Sequence, residues 1–283
     1  FGTLQFLLAG GSLLAPLAGL LVAKLGMVSA GRVIMLSTAG MAVGIAIVRQ
    51  FTLTETSMGR ERMSSTAGFR PGKLLGEFGR AMKTIGADRR VWSFLVLRVI
   101  GAVSGVVWAT YAMIFLTAQN GARLPEALIA LVPTISAVVT LVGLFFSVGR
   151  LAGQHLFANM VLGQLLWIGG SLVFLLSPLQ PLLMAGLWTL LSAASLVLFQ
   201  PASLSYWANI VDEQQRAMIS STATALIMLS TLLVGPLAGF FYQVAPRIPF
   251  IITIVLHVMQ LLIILFAVQR GDGILSEEQK MGS

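Results

Sequence analysis

Long apolar runs separated by short polar segments make up most of the chain. A helix needs about 20 apolar residues to cross a membrane. Eight runs approach or exceed that length: 1–23, 30–50, 91–117, 125–148, 156–177, 181–208, 218–243 and 248–268. Most of the segments between them are short and carry the Gly, Pro, Asn and charged residues that end helices. The exception is 51–90, which is long, polar and basic. The pattern predicts an all-α, multi-pass membrane helix bundle with eight transmembrane helices.

Composition supports a membrane protein and disfavours an enzyme. Hydrophobic residues make up 57% of the chain and charged residues 10%, too few charges to hydrate the surface of a soluble domain of this size. The chain has no cysteine and two histidines, which excludes disulfides and thiolate metal sites and disfavours a histidine metal cluster. Paired carboxylates, a Ser/His/Asp set and a phosphate-binding glycine loop are also lacking. We therefore expect neither catalysis nor a bound cofactor.

Lysine and arginine are distributed unevenly between the two predicted sides of the membrane. If 51–90 is cytoplasmic, thirteen of the 18 basic residues fall on its side and four on the other, with Arg98 inside a span. The positive-inside rule then places this segment and the C-terminus in the cytoplasm. The rule accounts for the basic excess without nucleic acid. The expected partner is the lipid bilayer, with the plasma membrane as the favoured location.

A seven-residue phrase occurs twice, each time within a predicted span. Residues 13–19 read LLAPLAG and residues 233–239 read LVGPLAG, with five of seven positions identical. Small residues one helical turn apart let a neighbouring helix approach closely, and the proline predicts a kink or weak hinge. Ordinary helix packing is enough to explain the phrase. The residues concerned are Ala15, Pro16 and Gly19 in the first copy and Gly235, Pro236 and Gly239 in the second.

The copies lie in the first and seventh predicted spans, and a separation of six spans gives both helices the same direction. Two parallel bundles joined by a basic cytoplasmic loop resemble the major facilitator superfamily (MFS), whose members carry six spans in each half. Two loops add to the resemblance. Residues 209–217, NIVDEQQRA, are similar to the acidic-then-arginine loop before the family's eleventh span. Residues 149–154, GRLAGQ, are similar to its Gly/Arg loop between spans eight and nine, without the usual aspartate.

The resemblance implies a domain organisation. Residues 1–50 would be the last two helices of an N-terminal bundle that lacks about four helices upstream, and 91–270 the complete C-terminal six-helix bundle. Residues 51–90 would be a cytoplasmic linker and 271–283 a cytoplasmic tail. Within the linker, apolar residues at helical spacing over 72–88 predict an amphipathic helix on the inner leaflet. The resemblance also implies that the two repeated helices line the seam where the halves rock.

One predicted span carries a stripe of candidate cavity residues. Arg98 is the only charged residue in the interior of a predicted span, at a depth of about 10 Å by the helical rise. Ser104, Trp108 and Tyr111 continue the stripe at one-turn spacing. Small residues followed by aromatics with polar tips suit a water-filled cavity, and they suit a packed seam equally well. Arg98 either binds an anionic group in that cavity or extends to the cytoplasmic interface.

Other spans offer fewer candidates. Trp188 and Gln200 are further cavity candidates, since Pro201 weakens the helix beside Gln200 and an amide is costly in lipid. His257 is the one histidine in a predicted span, and the resemblance implies a peripheral last helix, which favours a structural role. No Asp or Glu lies in the interior of a predicted span, so these spans offer no carboxylate for a coupling proton.

Together these features favour a secondary active transporter of the MFS type. It would move a small solute by alternating access, with an amphipathic or drug-like efflux substrate suggested by the apolar spans and an anionic one left open by Arg98. The coupling ion, proton or sodium, is left open. The alternative is a non-transporting membrane sensor or assembly subunit that retains the carrier fold. Such a protein would tolerate a plugged cavity, whereas a carrier would not.

Overall fold

The computed structural model describes residues 17, 20–21, 24–52, 71–147, 155–212 and 216–268, and all regular structure within these ranges is helical. Ten α-helices follow one another there: α1 (Met27–Thr52), α2 (Pro71–Ala87), α3 (Arg89–Thr117), α4 (Glu126–Ile129), α5 (Leu131–Ser147), α6 (Leu156–Leu175), α7 (Pro181–Ile210), α8 (Arg216–Leu232), α9 (Val234–Val244) and α10 (Ile248–Ile263). A π-helical segment, Ile264–Val268, continues α10.

Six apolar segments within the described residues are long enough to cross a membrane: Val28–Thr52, Arg89–Thr117, Leu156–Leu175, Pro181–Ile210, Met218–Val244 and Ile248–Phe266. Helices suit this environment because a chain in lipid must satisfy its backbone N–H and C=O groups internally. The all-α membrane class predicted from the sequence is confirmed. Of the two remaining predicted spans, 1–23 lies mostly outside the described residues, and 125–148 forms two shorter helices.

The run 125–148 divides into α4 and α5 at Ala130. Pro133 lies in the first turn of α5 and has no backbone N–H, so it cannot bond the carbonyl of Ile129. The N–H of Ala130 instead bonds the carbonyl of Leu128, as at a helix end. As a result α5 has 17 residues, of which Leu131–Gly143 form a shorter apolar helix.

The span Met218–Val244 is interrupted at Leu233, where α8 ends and α9 begins. Pro236 has no N–H to donate to the carbonyl of Leu232, the residue four positions earlier. Helical bonding resumes when Leu237 N–H donates to the Leu233 carbonyl at 3.2 Å. The span is therefore interrupted within the second copy of the repeated phrase, and a hinge at this proline stays a prediction.

The described chain divides into two compact units. The first holds α1 and the beginning of α2. Most side chains of α1 are exposed there, and the helix is apolar on most of its surface, as is typical of a helix bordered by lipid or other membrane helices. The second unit begins at Ala81.

The second unit contains the end of α2, which forms where an amphipathic helix is predicted. Ala81 and Ile85 are fully buried in this unit, and Met82 packs against the same core. This end of the apolar face therefore packs on protein, and contact of the rest of the face with lipid stays a prediction.

Two apolar clusters form the core of the second unit. The Phe94 cluster takes residues from the start of α3 and the end of α7 and includes Phe94, Tyr206, Trp207 and Ile264. The Phe174 cluster takes residues from the end of α3 and the start of α7 and includes Trp108, Phe115, Phe174, Trp188 and Phe250. Both clusters draw on α3, α6, α7 and the α10 region, so they lie one above the other along these helices.

Helices α3 and α10 run in opposite directions. Near the start of α10, the ring of Phe250 lies 5.3 Å from that of Phe115 in the last turns of α3. Near its end, the Gln260 amide donates to the carbonyl of Leu97 in the first half of α3. This antiparallel register determines which side chains share a depth.

Candidate functional site

Three polar side chains meet between the two apolar clusters, near the centres of their spans. His257 is the tenth of the 19 residues in Ile248–Phe266, and Gln164 the ninth of the 20 in Leu156–Leu175. Gln260 lies one turn beyond His257 on the same helix. All three are buried, with exposed fractions of 3% for Gln164, 6% for His257 and 2% for Gln260. We call them the polar layer.

Hydrogen bonds join the polar layer to two helix backbones. The amide nitrogen of Gln164 donates to the backbone carbonyl of His257 at 2.9 Å and to Gln260 Oε1 at 3.1 Å. The amide nitrogen of Gln260 donates to the carbonyl of Leu97 at 2.8 Å. Gln260 Oε1 also lies 2.7 Å from His257 Nδ1. The layer thus ties α6, α10 and α3 together at one depth.

These contacts determine how the imidazole of His257 is protonated. Gln260 must turn its NH₂ towards the Leu97 carbonyl, which leaves its oxygen as an acceptor only. His257 Nδ1, 2.7 Å from that oxygen, must therefore carry the proton. Gln164 Nε2 is 2.9 Å from the same nitrogen, but its two hydrogens have oxygen acceptors. The neutral ring assigned from these partners has its proton on Nδ1 and a lone pair on Nε2.

Three buried polar atoms beside the layer lack a hydrogen-bond partner within the described part of the chain. They are His257 Nε2, Ser104 Oγ and Trp167 Nε1. Ser104 is 1% exposed and lies one residue from the centre of Arg89–Thr117. One turn earlier on α3, Gly101 faces the layer, since a Cβ there would lie 3.0 Å from Gln260 Nε2. The predicted candidate Ser104 is thus near the level of His257.

Trp108 and Trp188, also predicted to line a cavity, are packed among other aromatic rings. Their rings stack on each other with centroids 5.5 Å apart. Phe174 lies 4.9 Å from Trp108 and 4.8 Å from Trp188, and Phe250 lies 5.0 Å from Trp108. The exposed fractions are 6% for Trp108 and 8% for Trp188. In this conformation the two indoles are part of the Phe174 cluster, and a cavity role stays a prediction.

Arg98 lies against the other cluster. Its guanidinium carbon is 5.4 Å from the ring centroid of Trp207, which is within the range of a cation–π interaction. Trp207 in turn donates its indole N–H to Ser220 Oγ at 3.2 Å. The arginine therefore links α3 to α7, and through Trp207 to α8. Binding of an anionic group by Arg98 stays a prediction.

Tyr111 connects the predicted cavity stripe to the second copy of the repeated phrase. Its hydroxyl donates to the carbonyl of Gly235 at 2.9 Å. A Cβ at Gly239 would lie 2.8 Å from the same oxygen. Both glycines belong to α9, just after the break in its span. Glycine at 239 is thus what allows the phenol to approach α9 this closely.

The remaining candidate residues show no contact that supports a functional site within the described part of the chain. Gln200 is half-buried beside Pro201, and α7 continues through this proline without interruption. Ala15, Pro16 and Gly19, the first copy of the repeated phrase, lie outside the described residues. The seam predicted between two rocking halves also stays a prediction.

Sequence reasoning missed the polar layer as a unit. Gln164 carried no assigned role, His257 was assigned a structural one, and Gln260 was not singled out. A signal was present, because His257 and Gln260 are three residues apart and so share one face of a helix in which polar side chains are costly. The sequence does not indicate that Gln164 and the Leu97 carbonyl bond to these residues, because those contacts depend on which helices become neighbours.

Comparison of the chain with protein-family models gave no match, and comparison with curated proteins gave none either. What the sequence and the structure establish together is an all-helical protein of the integral membrane class, with six helical segments of membrane-spanning length in its described part.

Proposed function

We propose that this chain is part of a secondary active transporter of the MFS type, which moves a small solute across the membrane by alternating access. The observation that carries the proposal is the interrupted span at Leu233, together with the hydroxyl of Tyr111 on the adjoining Gly235 carbonyl. Discontinuous helices and polar groups near mid-membrane are typical of the sites at which carriers bind solutes and ions.

The buried polar layer adds support from energetics. An intramembrane polar group without a partner costs several kcal/mol, and His257 Nε2 and Ser104 Oγ are buried at this level with no hydrogen-bond partner in the described part of the chain. In transporters, buried polar and ionisable groups mark solute and ion pathways. Under the proposal, the layer and Ser104 face the solute pathway in at least one of the two access states.

The proposed solute is amphipathic and drug-like. The aromatic rings of Trp108 and Trp188 offer flat apolar surface, and their indole nitrogens offer hydrogen-bond donors. Trp108 Nε1 is buried and without a partner among the described residues, so it could donate to a solute. Arg98 extends the proposal to solutes that carry an anionic group.

A second function is favoured by a different observation. The tight ring contacts around Trp108 fill the position where a cavity was predicted. A non-transporting sensor or assembly subunit would keep these rings packed permanently, whereas a carrier must part them in another state. The two functions therefore make opposite predictions for a variant that removes one ring.

Flux through proteoliposomes that hold the complete protein tests the proposal. With a fluorescent amphipathic dye as the probe, we expect saturable flux that falls at least tenfold in Trp108→Ala. The matched control is Trp92→Ala, since Trp92 is 45% exposed and lies outside the Phe174 cluster; it should keep the parental rate. Trp108→Phe, which retains a ring, separates lost transport from lost folding. Absence of flux across a panel of dyes and organic anions would favour the sensor or assembly subunit.

A further inference from the structure

His257 has one ring nitrogen held in place and the other left free. Its Nδ1–H donates to Gln260 Oε1 at 2.7 Å, and Gln260 is itself held by the Leu97 carbonyl. The lone pair of Nε2 therefore has a fixed direction in a site where 6% of the residue is exposed. Within the described part of the chain nothing donates to it. Because Nδ1 already carries a proton, Nε2 is the ring nitrogen at which a second proton can add.

A protonated imidazole has two N–H groups and needs two acceptors. Gln260 Oε1 serves the first. For the second, the antiparallel register of α3 and α10 offers Ser104. Leu97 and Gly101 meet Gln260, so the turn after Gly101 on α3 faces the turn before Gln260 on α10, which contains His257. The hydroxyl of Ser104 is buried there without a partner in the described residues, and its oxygen can accept.

The surroundings also contain a group that stabilises a cation. The ring of Trp167 lies 5.4 Å from that of His257, and an aromatic ring at this distance attracts a positive charge. Trp167 precedes Phe174 by two turns on α6, one turn beyond Gln164. The indole thus borders the polar layer on the side of the Phe174 cluster.

The titratable and charged groups on the elements packed against α10 either lie at another depth or are engaged elsewhere. Arg89 and Arg90 are in the first turn of α3, about two turns before Leu97. On α3, the guanidinium of Arg98 lies over Trp207, and the hydroxyl of Tyr111 is bonded to Gly235. On α9, Tyr242 stacks on Tyr111 with centroids 5.3 Å apart. The sequence of α6 and of the segment Ile264–Val268 contains no Asp, Glu, Lys, Arg or His. His257 would therefore titrate without a neighbouring carboxylate.

We infer that His257 is a proton-binding site at the centre of the membrane-spanning bundle, completed by Ser104. A hydronium ion from the aqueous phase gives its proton to Nε2: one O–H bond breaks, one N–H bond forms, the imidazole becomes imidazolium and a water molecule is left. The new N–H is accepted by Ser104 Oγ while Nδ1–H stays on Gln260. Because this draws α3 towards α10 at one depth, proton binding is linked to the distance between two helices. As a coupling site for transport this inference rests on the proposed function; proton binding itself does not.

Tryptophan fluorescence of the purified full chain tests the site without any transport measurement. An imidazolium quenches an adjacent indole more strongly than neutral imidazole does. As the pH is lowered from about 8 to about 4, across the ordinary range of histidine, we expect emission to fall reversibly. His257→Gln, whose amide can still donate to Gln260, should abolish this change. His155→Gln is the matched control, because it removes the other histidine, and should leave the change intact.

Two further variants separate a proton site from a general response to acid. Trp167→Phe removes the indole beside His257 and should remove most of the quenching. Ser104→Ala should move the transition to lower pH, because the charged form loses an acceptor, and Ser104→Thr should restore it. Quenching that persists in His257→Gln, or a transition that ignores Ser104→Ala, would overturn the inference. Dye flux without the pH transition would contradict the proton site and support the carrier. The pH transition without dye flux would support the proton site and contradict the carrier.

Discussion

Hydrogen occupies the position at Gly239 where any other residue would place a Cβ. That Cβ would be 2.8 Å from the Tyr111 hydroxyl oxygen, which bonds the Gly235 carbonyl 124 positions along the chain. The phenol ring cannot retreat freely, because it stacks on Tyr242. The hydrogen bond from Tyr111 on α3 to the backbone of α9 therefore depends on the absence of a Cβ at position 239.

Gly239→Ala should lower the stability of the bundle by about 1–3 kcal/mol, as for other overpacking substitutions. Thermal unfolding of the purified protein in detergent measures the effect. Gly235→Ala is the control, since its Cβ would have no atom within 4 Å, and it should unfold near the parental temperature.

A second comparison attributes the loss to the hydroxyl. Tyr111→Phe removes that oxygen, so Gly239→Ala should cost less in the Phe background than alone. Equal costs in both backgrounds would show that the strain lies elsewhere.

Sequence spacing could place Ser104, Trp108 and Tyr111 on one face of a helix, because the helical period determines which residues share a face. It could not tell what covers that face. Trp188 and Phe250 meet Trp108 only because α7 and α10 pack beside α3. The same limit applies to Gln164 and Gln260, whose partners lie on other helices.

Among the helices, α6 and α7 approach each other through glycine. A Cβ at Gly163 would lie 2.9 Å from Phe199 Cβ and 3.1 Å from the Ser195 carbonyl oxygen. One at Gly170, two turns later, would lie 3.2 Å from Leu191 Cβ. In lipid, where burial of apolar surface gives little drive, close backbone contact of this kind is a main source of helix association.

Gly163→Ala should therefore separate α6 from α7 and destabilise the bundle more than the same change elsewhere on α6. Gly169→Ala is the matched control, because no atom lies within 4 Å of the Cβ it would add. The readout is the fraction of monodisperse protein that survives heating in detergent. A loss of the same size in both variants would mean that the α6–α7 contact does not set the cost, since helix propensity favours alanine over glycine at both positions.

Apolar runs predicted the position and type of most helices, since length and hydropathy are properties of each run alone. The two breaks depended on proline. The repeated phrase contains Pro236, where a kink is predicted. No break is predicted at Pro133 in the run 125–148, although its missing N–H divides that run at Ala130.

At the scale of the whole molecule, the alternation of helices makes a topology that can be tested directly. The chain has no cysteine, so single cysteines can be introduced without removing native ones. If the 51–90 segment is cytoplasmic, as the positive-inside rule predicts, and α4 and α5 together cross the membrane, the turns after α3 and α6 should lie outside the cell and the turn after α7 inside.

Gln119→Cys and Leu179→Cys, both at exposed positions, should react with a membrane-impermeant maleimide on intact cells. Asp212→Cys, also exposed, should react only after permeabilisation. Labelling of Asp212→Cys on intact cells, with protection of the other two, would reverse the orientation. Labelling of Gln119→Cys and Leu179→Cys from different sides would contradict the alternation itself.

Hydropathy and charge were sufficient to predict the membrane class. They do not show whether two halves assemble, because neither property reports contacts between helices. The first copy of the repeated phrase and the second lie in different predicted bundles, and their similarity does not indicate contact between them. Measurements of flux and of topology therefore test the carrier proposal, which apolar runs alone do not establish.

The stacking of a polar layer between two aromatic and aliphatic clusters has a mechanical consequence. Each cluster can hold its own end of the bundle together, while amide and imidazole groups in the middle exchange partners at a cost of about 0.6 kcal/mol for a typical hydrogen bond between membrane helices. Deformation should concentrate where the bonds are easiest to swap. As long as the rings of both clusters stay packed, the zone farthest from either aqueous phase should then be the most adaptable one.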